Sequence, residues 1–256
     1  MLGPEDIAAG KSWSQARVSR IELGQSVPQV QDVALWAAAS GATPHETEEL
    51  IDLAGEVVRE VVELRRMTRQ GLARTQHDMA RLEAAATAIR NYSLSLIPGL
   101  LQTADVARRL LEALFPAGRP DIPEAVQARL ERQRVIYDSG KEIEFVLAEA
   151  ALRPVGPAAT MRHQLATIAT IAALPNVSLG VIPQARELPI WHWHGFDIFE
   201  TPDETMVYVE TLTAGLAVTD PEDVQTYRAA LERLRPAAIY GDDVQALLRR
   251  LSAALG

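Results

Sequence analysis

Hydrophobic residues recur at three- and four-residue steps through the first third of the chain, the spacing of an amphipathic helix. The steps run through residues 50–64 and again through residues 79–89. They predict a helical linker over residues 44–91, with Gly71 as a break between two helices. Ahead of the linker, turn residues divide residues 1–43 into short helical segments. We therefore expect a small all-helical domain followed by a helical spacer.

After residue 92, helical patterns alternate with short β-branched runs, which is typical of a mixed domain. The predicted fold is mainly α, with a C-terminal α+β domain over residues 92–256 whose small sheet is mostly antiparallel. We expect helices over 102–114, 123–137, 160–173, 221–234 and 242–254, and strands over 144–150, 177–182, 195–200 and 206–212.

Composition removes several classes of chemistry. The 256 residues include no cysteine, so disulfides, thiolate nucleophiles and cysteine-ligated metals are impossible. The chain has no phosphate-binding glycine loop and no serine hydrolase elbow, and we expect no cofactor and no metal. No apolar run reaches the length of a membrane span and no leader opens the chain, which predicts a soluble cytoplasmic protein without membrane partners. The net charge of −9 means that nucleic-acid binding would need a local positive patch.

A possible DNA-reading helix lies near the N-terminus. Val18 and Ile21 share one face of the predicted helix, and the opposite face carries Gln15, Arg17 and Arg20. A recognition helix needs this division, because apolar residues hold it to its domain while polar side chains reach base edges. A solvated surface helix with two arginines would show the same pattern.

The run Val18-Ser19-Arg20-Ile21-Glu22-Leu23-Gly24 resembles the second helix of Xre-type, lambda-repressor-like helix-turn-helix regulators. The resemblance implies base contacts by Gln15, Ala16 and Arg20, and phosphate contacts by Ser14 and Arg17. Later segments resemble the C-terminal domain of an actinobacterial group of these regulators. They are Ile97-Pro98-Gly99-Leu100-Leu101-Gln102-Thr103, Arg132-Gln133-Arg134, Glu149-Ala150-Ala151-Leu152-Arg153, Gln164-Leu165, Pro175-Asn176-Val177, Val181-Ile182-Pro183, Gly195-Phe196 and Tyr208-Val209-Glu210.

The resemblance implies a transcriptional regulator of specialised-metabolite or differentiation genes that binds double-stranded DNA as a homodimer. A small partner protein or a small-molecule effector would complete the system. The C-terminal domain of this family is described only as a domain of unknown function, so the resemblance implies no chemistry for it. The resemblance favours a regulator over an enzyme.

Two departures from the family leave alternatives open. The first helix of a complete domain has no counterpart ahead of Pro4, and Lys11-Ser12 stands where an apolar residue and glycine are usual. Acidic side chains also outnumber basic ones over residues 1–40, which weakens non-specific DNA affinity. The alternatives are a former regulator whose C-terminal domain binds or transforms a hydrophobic molecule, as a cofactor-free cyclase or isomerase, and an antitoxin-like module that binds a protein.

One segment outside the resemblance could carry chemistry. Alternation in a strand would place Trp191 and Trp193 on one face, and His192 and His194 on the other. With Phe196 and Tyr208 the tryptophans form a candidate ligand pocket. Should the domain be catalytic, the candidate residues are His192, His194, Glu149 and Glu210.

Overall fold

A computed structural model describes residues 30–52, 72–115, 118–190, 194–211 and 215–255. The chain divides into two compact units, Met1–Arg65 and Arg66–Gly256. The DNA-reading residues expected between Ser14 and Arg20 lie outside the described residues.

The described part of the first unit is helical. Helix α1 spans Val30–Ala39, and residues 44–52 form a second helical segment. Thr43 and Glu46 cap this second helix reciprocally: the backbone N–H of Thr43 donates to Glu46 Oε2 at 2.8 Å, and the backbone N–H of Glu46 donates to Thr43 Oγ1 at 3.3 Å. This pairing satisfies donors that a helix start leaves open.

The second unit combines helices with one sheet. Its elements are α2 (Leu72–Ala85), β1 (Ala88–Ser93), α3 (Ala104–Leu114), α4 (Ile122–Arg132), β2 (Glu142–Ala148), α5 (Ala158–Ile171), β3 (Val177–Ile182), β4 (Phe196–Glu200), β5 (Thr205–Glu210), β6 (Gly215–Val218), α6 (Pro221–Leu234) and α7 (Gly241–Ala253). Short 3-10 turns cover Gly99–Leu101, Gln133–Tyr137, Glu149–Leu152 and Arg235–Ala237.

The sheet has the strand order β3-β2-β1-β4-β5-β6. β1 pairs in parallel with β2, and β2 pairs in parallel with β3, whereas the three pairings from β1 through β4 and β5 to β6 are antiparallel. The expected mixed domain with a mostly antiparallel sheet is therefore confirmed. The parallel pairs need helical crossovers, which α3 and α4 supply between β1 and β2 and α5 supplies between β2 and β3.

Alternate residues of the strands point to opposite faces of the sheet, and both faces bury large apolar side chains, such as Ile198 on one face and Phe199 on the other. One face, which we call the apolar face, packs on α6. Its buried residues include Tyr92, Phe196, Ile198 and Val207. The other face carries a row of directly paired polar residues, Asn91, Asp197 and Tyr208, which we call the polar row.

The structure corrects the end of the predicted linker. Helix α2 begins directly after Gly71 but ends at Ala85, and residues 88–93 are a central strand rather than helix. Met79, Ala86 and Ile89 keep a helical spacing although Ile89 lies in the strand and not in the helix. Pairing on both sides, with β2 and β4, decides the conformation, because it supplies a backbone partner at both edges of β1.

Other differences are smaller. The short strand β6 was not predicted, because its four residues fall below the length at which alternation is visible. The expected strands 144–150 and 206–212 begin and end one or two residues earlier in the structure. No described helix is long and apolar enough to cross a membrane.

Candidate functional site

Two arginines of α4 lie on one helical face and point at α2. Arg129 and Arg132 are three residues apart, which places them side by side. The Nε groups of both donate to Oε1 of Gln76, each at 3.1 Å. Arg132 Nη1 also donates to Oε1 of Glu83, and both side chains of this ion pair are more than nine-tenths buried.

The partners of the two arginines lie on helix α2, on a buried face that is partly polar. Its buried residues are Leu72, Gln76, Met79 and Glu83, which recur at three- and four-residue steps. The hydrophobic spacing that predicted a helix here includes Met79 but neither of the polar members, Gln76 and Glu83. The available signal was Gln76 and Glu83, which lie seven residues apart and therefore share a face with Met79.

The polar row crosses the sheet at the same site. Asn91 on β1 lies opposite Asp197 on β4, and Asp197 lies opposite Tyr208 on β5. Asn91 Nδ2 donates to Asp197 Oδ1 at 2.8 Å, and Ser93 Oγ donates to Asn91 Oδ1 at 2.9 Å. We call Gln76, Glu83, Arg129 and Arg132 together with the polar row the polar cluster.

Burial changes the acidity of the carboxyl groups in the cluster. It raises the pKa of Glu83 to about 7, although the neighbouring Arg132 opposes the shift. It also raises the pKa of Asp197 to about 6, against the opposing hydrogen bond from Asn91 and the charge of Arg132. Burial therefore brings the titration of the Glu83 carboxyl toward neutral pH.

The other titratable members keep one protonation state. Burial and the adjacent Arg132 lower the pKa of Arg129 to about 10, which leaves the guanidinium charged at neutral pH. Burial, followed by the charges of Glu210 and Asp197, raises the pKa of Tyr208 above its usual value. Tyr208 is therefore a neutral phenol that can donate one hydrogen bond.

Three glutamines fix the loop that joins β1 to α3 beside the cluster. Gln102 Nε2 donates to the carbonyl of Ile97 at 2.6 Å and accepts from Arg129 Nη1 at 2.6 Å. Gln133 Nε2 donates to the carbonyls of Gly99 and Gln102. Gln164 donates to the carbonyl of Leu101 and accepts from the backbone N–H of Thr103. Each side chain replaces a backbone partner that an irregular loop lacks.

Glycine is required where this loop meets the cluster. A Cβ added at Gly99 would overlap Nη2 of Arg132, which is itself held by Glu83 and Gln76. A Cβ at Gly195, ahead of β4, would lie 2.8 Å from the carbonyl oxygen of Tyr92. Both sites tolerate backbone but not a side chain.

A second group of charges lies over the sheet at the other end of β1. Arg235 binds Glu144 through two bonds of 2.7 and 2.6 Å, and Arg90 and Arg228 both pair with Glu200. A cavity of about 300 Å³ opens between these strands and α6. Every carboxylate in this group has an arginine partner, as expected for a structural ion-pair network.

The residues predicted as a ligand pocket do not all come together. Phe196 lies on the apolar face, where its ring contacts Tyr92 and Tyr227, whereas Tyr208 lies in the polar row on the opposite face. His194 is exposed, with its ring centroid 5.8 Å from that of Tyr227. Trp191, His192 and Trp193 lie outside the described residues.

The two candidate catalytic carboxylates have separate surroundings. Glu149 Oε2 accepts from the backbone N–H of Gln184 at 2.9 Å, and its other oxygen is 3.8 Å from Arg250. Glu210 is exposed at the end of β5 and interacts electrostatically with Arg129 and Asp197. Of the two, only Glu210 belongs to the surroundings of the polar cluster.

Residues 76–250 match the family model of a domain of unknown function, DUF5753. The chain belongs to this family. The matched region contains every residue of the polar cluster and all three glutamines that hold the adjoining loop. No curated protein matches the chain. The family description names no activity.

The DUF5753 region begins at residue 76, within α2, and therefore includes part of the segment predicted as linker. Helix α2 supplies Gln76 and Glu83 to the domain, so it is part of the fold and not only a spacer. Among the described residues, no group of three or more histidine, aspartate or glutamate side chains is placed to hold a metal.

Proposed function

We propose that the chain is a DNA-binding transcriptional regulator whose DUF5753 domain responds to a small effector. The observation that carries the proposal is the order of two features in one chain. A helix-turn-helix-like pattern over residues 4–24 precedes a domain of a family that is commonly C-terminal to Xre-type DNA-binding domains. In this proposal Gln15, Ala16 and Arg20 read bases, and Ser14 and Arg17 bind phosphates.

The polar cluster supports the effector part of the proposal. Burying charged side chains costs stability unless all of their polar atoms are partnered, and apolar residues of similar size would stabilise the fold at least as well. The domain nevertheless buries the ion pair of Glu83 and Arg132 between α2 and α4, and the charge of Asp197 acts on Glu83. Buried charged residues that are kept although they do not stabilise the fold are typical of ligand sites.

Helix α2 connects the cluster to the rest of the chain. It is the first described helix of the second unit, and its N-terminal N–H, from Leu72, donates to Asp121 Oδ2 at 2.8 Å. A ligand that altered the Glu83 and Arg132 pair would change how α2 is held against α4. The regulator would work in the cytoplasm as a homodimer that presents two recognition helices to one operator, with or without a small partner protein.

The test is fluorescence anisotropy of the full chain on DNA from its own upstream region, compared with a scrambled duplex, at two salt concentrations. We expect salt-sensitive binding that prefers the native DNA. Arg20→Ala should reduce discrimination at one base by about 1–3 kcal/mol, and Arg17→Ala should weaken binding to both duplexes equally. The matched control is Arg186→Ala, which removes an exposed arginine from the DUF5753 domain.

Absence of binding at low salt would contradict the DNA-reading role. It would favour the two alternatives, a domain that binds or transforms a small molecule and a domain that binds a protein. Equal losses on both duplexes for Arg20→Ala would contradict base reading by that residue while leaving DNA binding intact.

A further inference from the structure

We propose that the cavity of about 300 Å³ between α6 and the sheet binds a small carboxylate anion. The sheet side of this cavity carries Arg90, Ile198 and Glu200. Arg90 and Ile198 are direct cross-strand partners, and Glu200 follows Ile198 by two residues, so all three share one face of the sheet. This face is opposite to the polar row, and the proposal does not rest on the regulator function.

Helix α6 and the turn that follows it form the other side of the cavity. Arg228, Leu231 and Glu232 lie on the helix, and Arg235 begins the 3-10 turn. Their spacing of three, four and seven residues places them on one helical face, toward the sheet. Two regular elements therefore define the cavity, and it does not depend on an irregular loop.

The unused hydrogen-bonding groups beside Glu200 are donors. Both oxygens of Glu200 already accept, Oε1 from Arg228 Nη2 at 2.9 Å and Oε2 from Arg90 Nη2 at 3.4 Å. By contrast, Nη1 of Arg228 and Nη1 of Arg90 donate no hydrogen bond to any described residue, and the latter lies 4.0 Å from Glu144 Oε2. Nε of Arg228 is also buried without a partner among these residues. A ligand that fits this site therefore supplies acceptors.

The local charge balance also favours an anion. Arg235 is matched by Glu144, which it binds through both carboxylate oxygens, whereas Arg90 and Arg228 share Glu200. Glu142 pairs with Arg90 at 3.6 Å, but its side chain is 81% exposed and therefore screened by solvent. One positive charge is thus in excess beside Glu200. A carboxylate would neutralise it and accept the unused guanidinium donors.

Two apolar side chains specify the kind of carboxylate. Ile198 and Leu231 also line the cavity, and both are buried. A short aliphatic chain would gain from contact with them, whereas an inorganic anion would not. The volume of about 300 Å³ lies at the lower end of the range for small-molecule sites. We therefore infer a carboxylate with a short aliphatic body, whose charged group lies between Arg90 and Arg228.

The experiment titrates the full chain, labelled with nitrogen-15, with sodium butyrate at constant ionic strength and neutral pH. Butylammonium chloride and n-butanol are the size-matched cationic and neutral probes, and inorganic phosphate is the probe without an aliphatic body. We expect saturable changes in the side-chain N–H signals of Arg90 and Arg228 with butyrate, and none with the cation or the alcohol.

Two variants should change butyrate binding in opposite directions. Arg228→Gln should weaken it about tenfold, because it removes a charged donor. Glu232→Gln should strengthen it by about twofold, because it removes a negative charge from the lining. The substituted side chains are 40% and 65% exposed, so we expect both variants to fold. The matched control is Arg249→Gln, at an exposed arginine of α7, which should leave binding unchanged.

The proposal is overturned by any of three results: no saturable change with butyrate, an equal response to butylammonium or butanol, or unchanged binding in Arg228→Gln. Phosphate binding as tight as that of butyrate would overturn the aliphatic carboxylate as the ligand class. Because no DNA is present, failure here is distinct from failure of the anisotropy experiment.

Discussion

Neighbouring residues of one strand lie on opposite faces of the sheet and have different surroundings. Phe196 packs against α6 on the apolar face, while the next residue, Asp197, joins the polar row on the other face. Burial of an apolar side chain stabilises the fold by about 25 cal/mol for each Å² removed from water. Burial of a carboxyl group stabilises nothing unless partners replace the lost water. Phe196 therefore contributes to stability through apolar burial, whereas Asp197 depends on a polar partner, Asn91.

The comparison also separates two kinds of ion pair. Arg132 and Glu83 are enclosed between α2 and α4, whereas Arg228, which pairs with Glu200, has a side chain that is 40% exposed. Solvent screens the exposed pair, and its contribution is small. The enclosed pair depends on its partner, because removal of one member leaves a buried charge.

The largest effect is expected on the apolar face. Phe196→Ala removes a buried ring that contacts Tyr92 at a centroid distance of 5.6 Å and Tyr227 at 5.0 Å. The cavity and the lost contacts should reduce the free energy of unfolding by about 4 kcal/mol. Urea unfolding followed by circular dichroism measures it. Leu96→Ala, at a side chain that is 55% exposed, is the control and should change stability by less than about 0.5 kcal/mol.

A loss below about 1 kcal/mol for Phe196→Ala would mean that the Phe196 ring stabilises the fold less than its burial and ring contacts imply. The contrast drawn between Phe196 and Asp197 would then be wrong for Phe196.

The second effect concerns the enclosed ion pair. Arg132→Met should reduce the free energy of unfolding by about 3 kcal/mol at pH 7.5, because Glu83 loses its counter-charge and Gln76 loses a donor. The double variant Glu83→Met with Arg132→Met should be more stable than this single variant, since it buries no unpaired charge. Arg134→Met, at the exposed neighbour, is the matched control.

A double variant less stable than Arg132→Met alone would contradict this account. It would indicate that each side chain is held by separate contacts and not mainly by the other.

The smallest effect is the pH dependence of stability. The pKa of Glu83 in the fold, about 7, lies above its ordinary value of 4.5, so the folded chain holds a proton that the unfolded chain releases between these values. Stability should therefore be highest near pH 5 and fall by about 2 kcal/mol as the pH rises to 7.5. Asp197 adds a change of the same sign at lower pH.

The measurement is the urea midpoint at steps of half a pH unit. In Glu83→Gln the decline between pH 5.5 and 7.5 should be largely absent, whereas Glu142→Gln should retain it. A wild-type stability that rises through this range would contradict the pKa shift and its assigned cause.

Local sequence patterns predicted a helix or strand correctly where its periodicity and its terminating residues indicated the same bounds. Helix α6 and strand β3 have the predicted bounds, because proline starts the helix and a β-branched run bounded by turn residues forms the strand. Strand β1 was not predicted, since Ala86 and Ile89 fit a helical spacing and only pairing with β2 and β4 makes residues 88–93 a strand. A local window contains neither partner strand.

The candidate site was less predictable for a related reason. The sequence drew attention to the unusual run Trp191 to His194, whereas the described structure gathers Glu83, Arg132 and Asp197 from segments up to 114 positions apart. Individually these are common charged residues. Besides the spacing of Gln76 and Glu83, a second signal lay in the segments containing Gln102, Gln133 and Gln164, to which the resemblance assigns no role.

By itself the sequence determined the class of the domain, the helices of its second half and the exclusion of cysteine chemistry, because these depend on composition and on periodicity within a few turns. Only the tertiary structure decided which charged residues are buried together. Burial is a property of the packed chain: the pKa of Glu83 rises because packing removes water from its carboxyl group, and no local pattern encodes that removal.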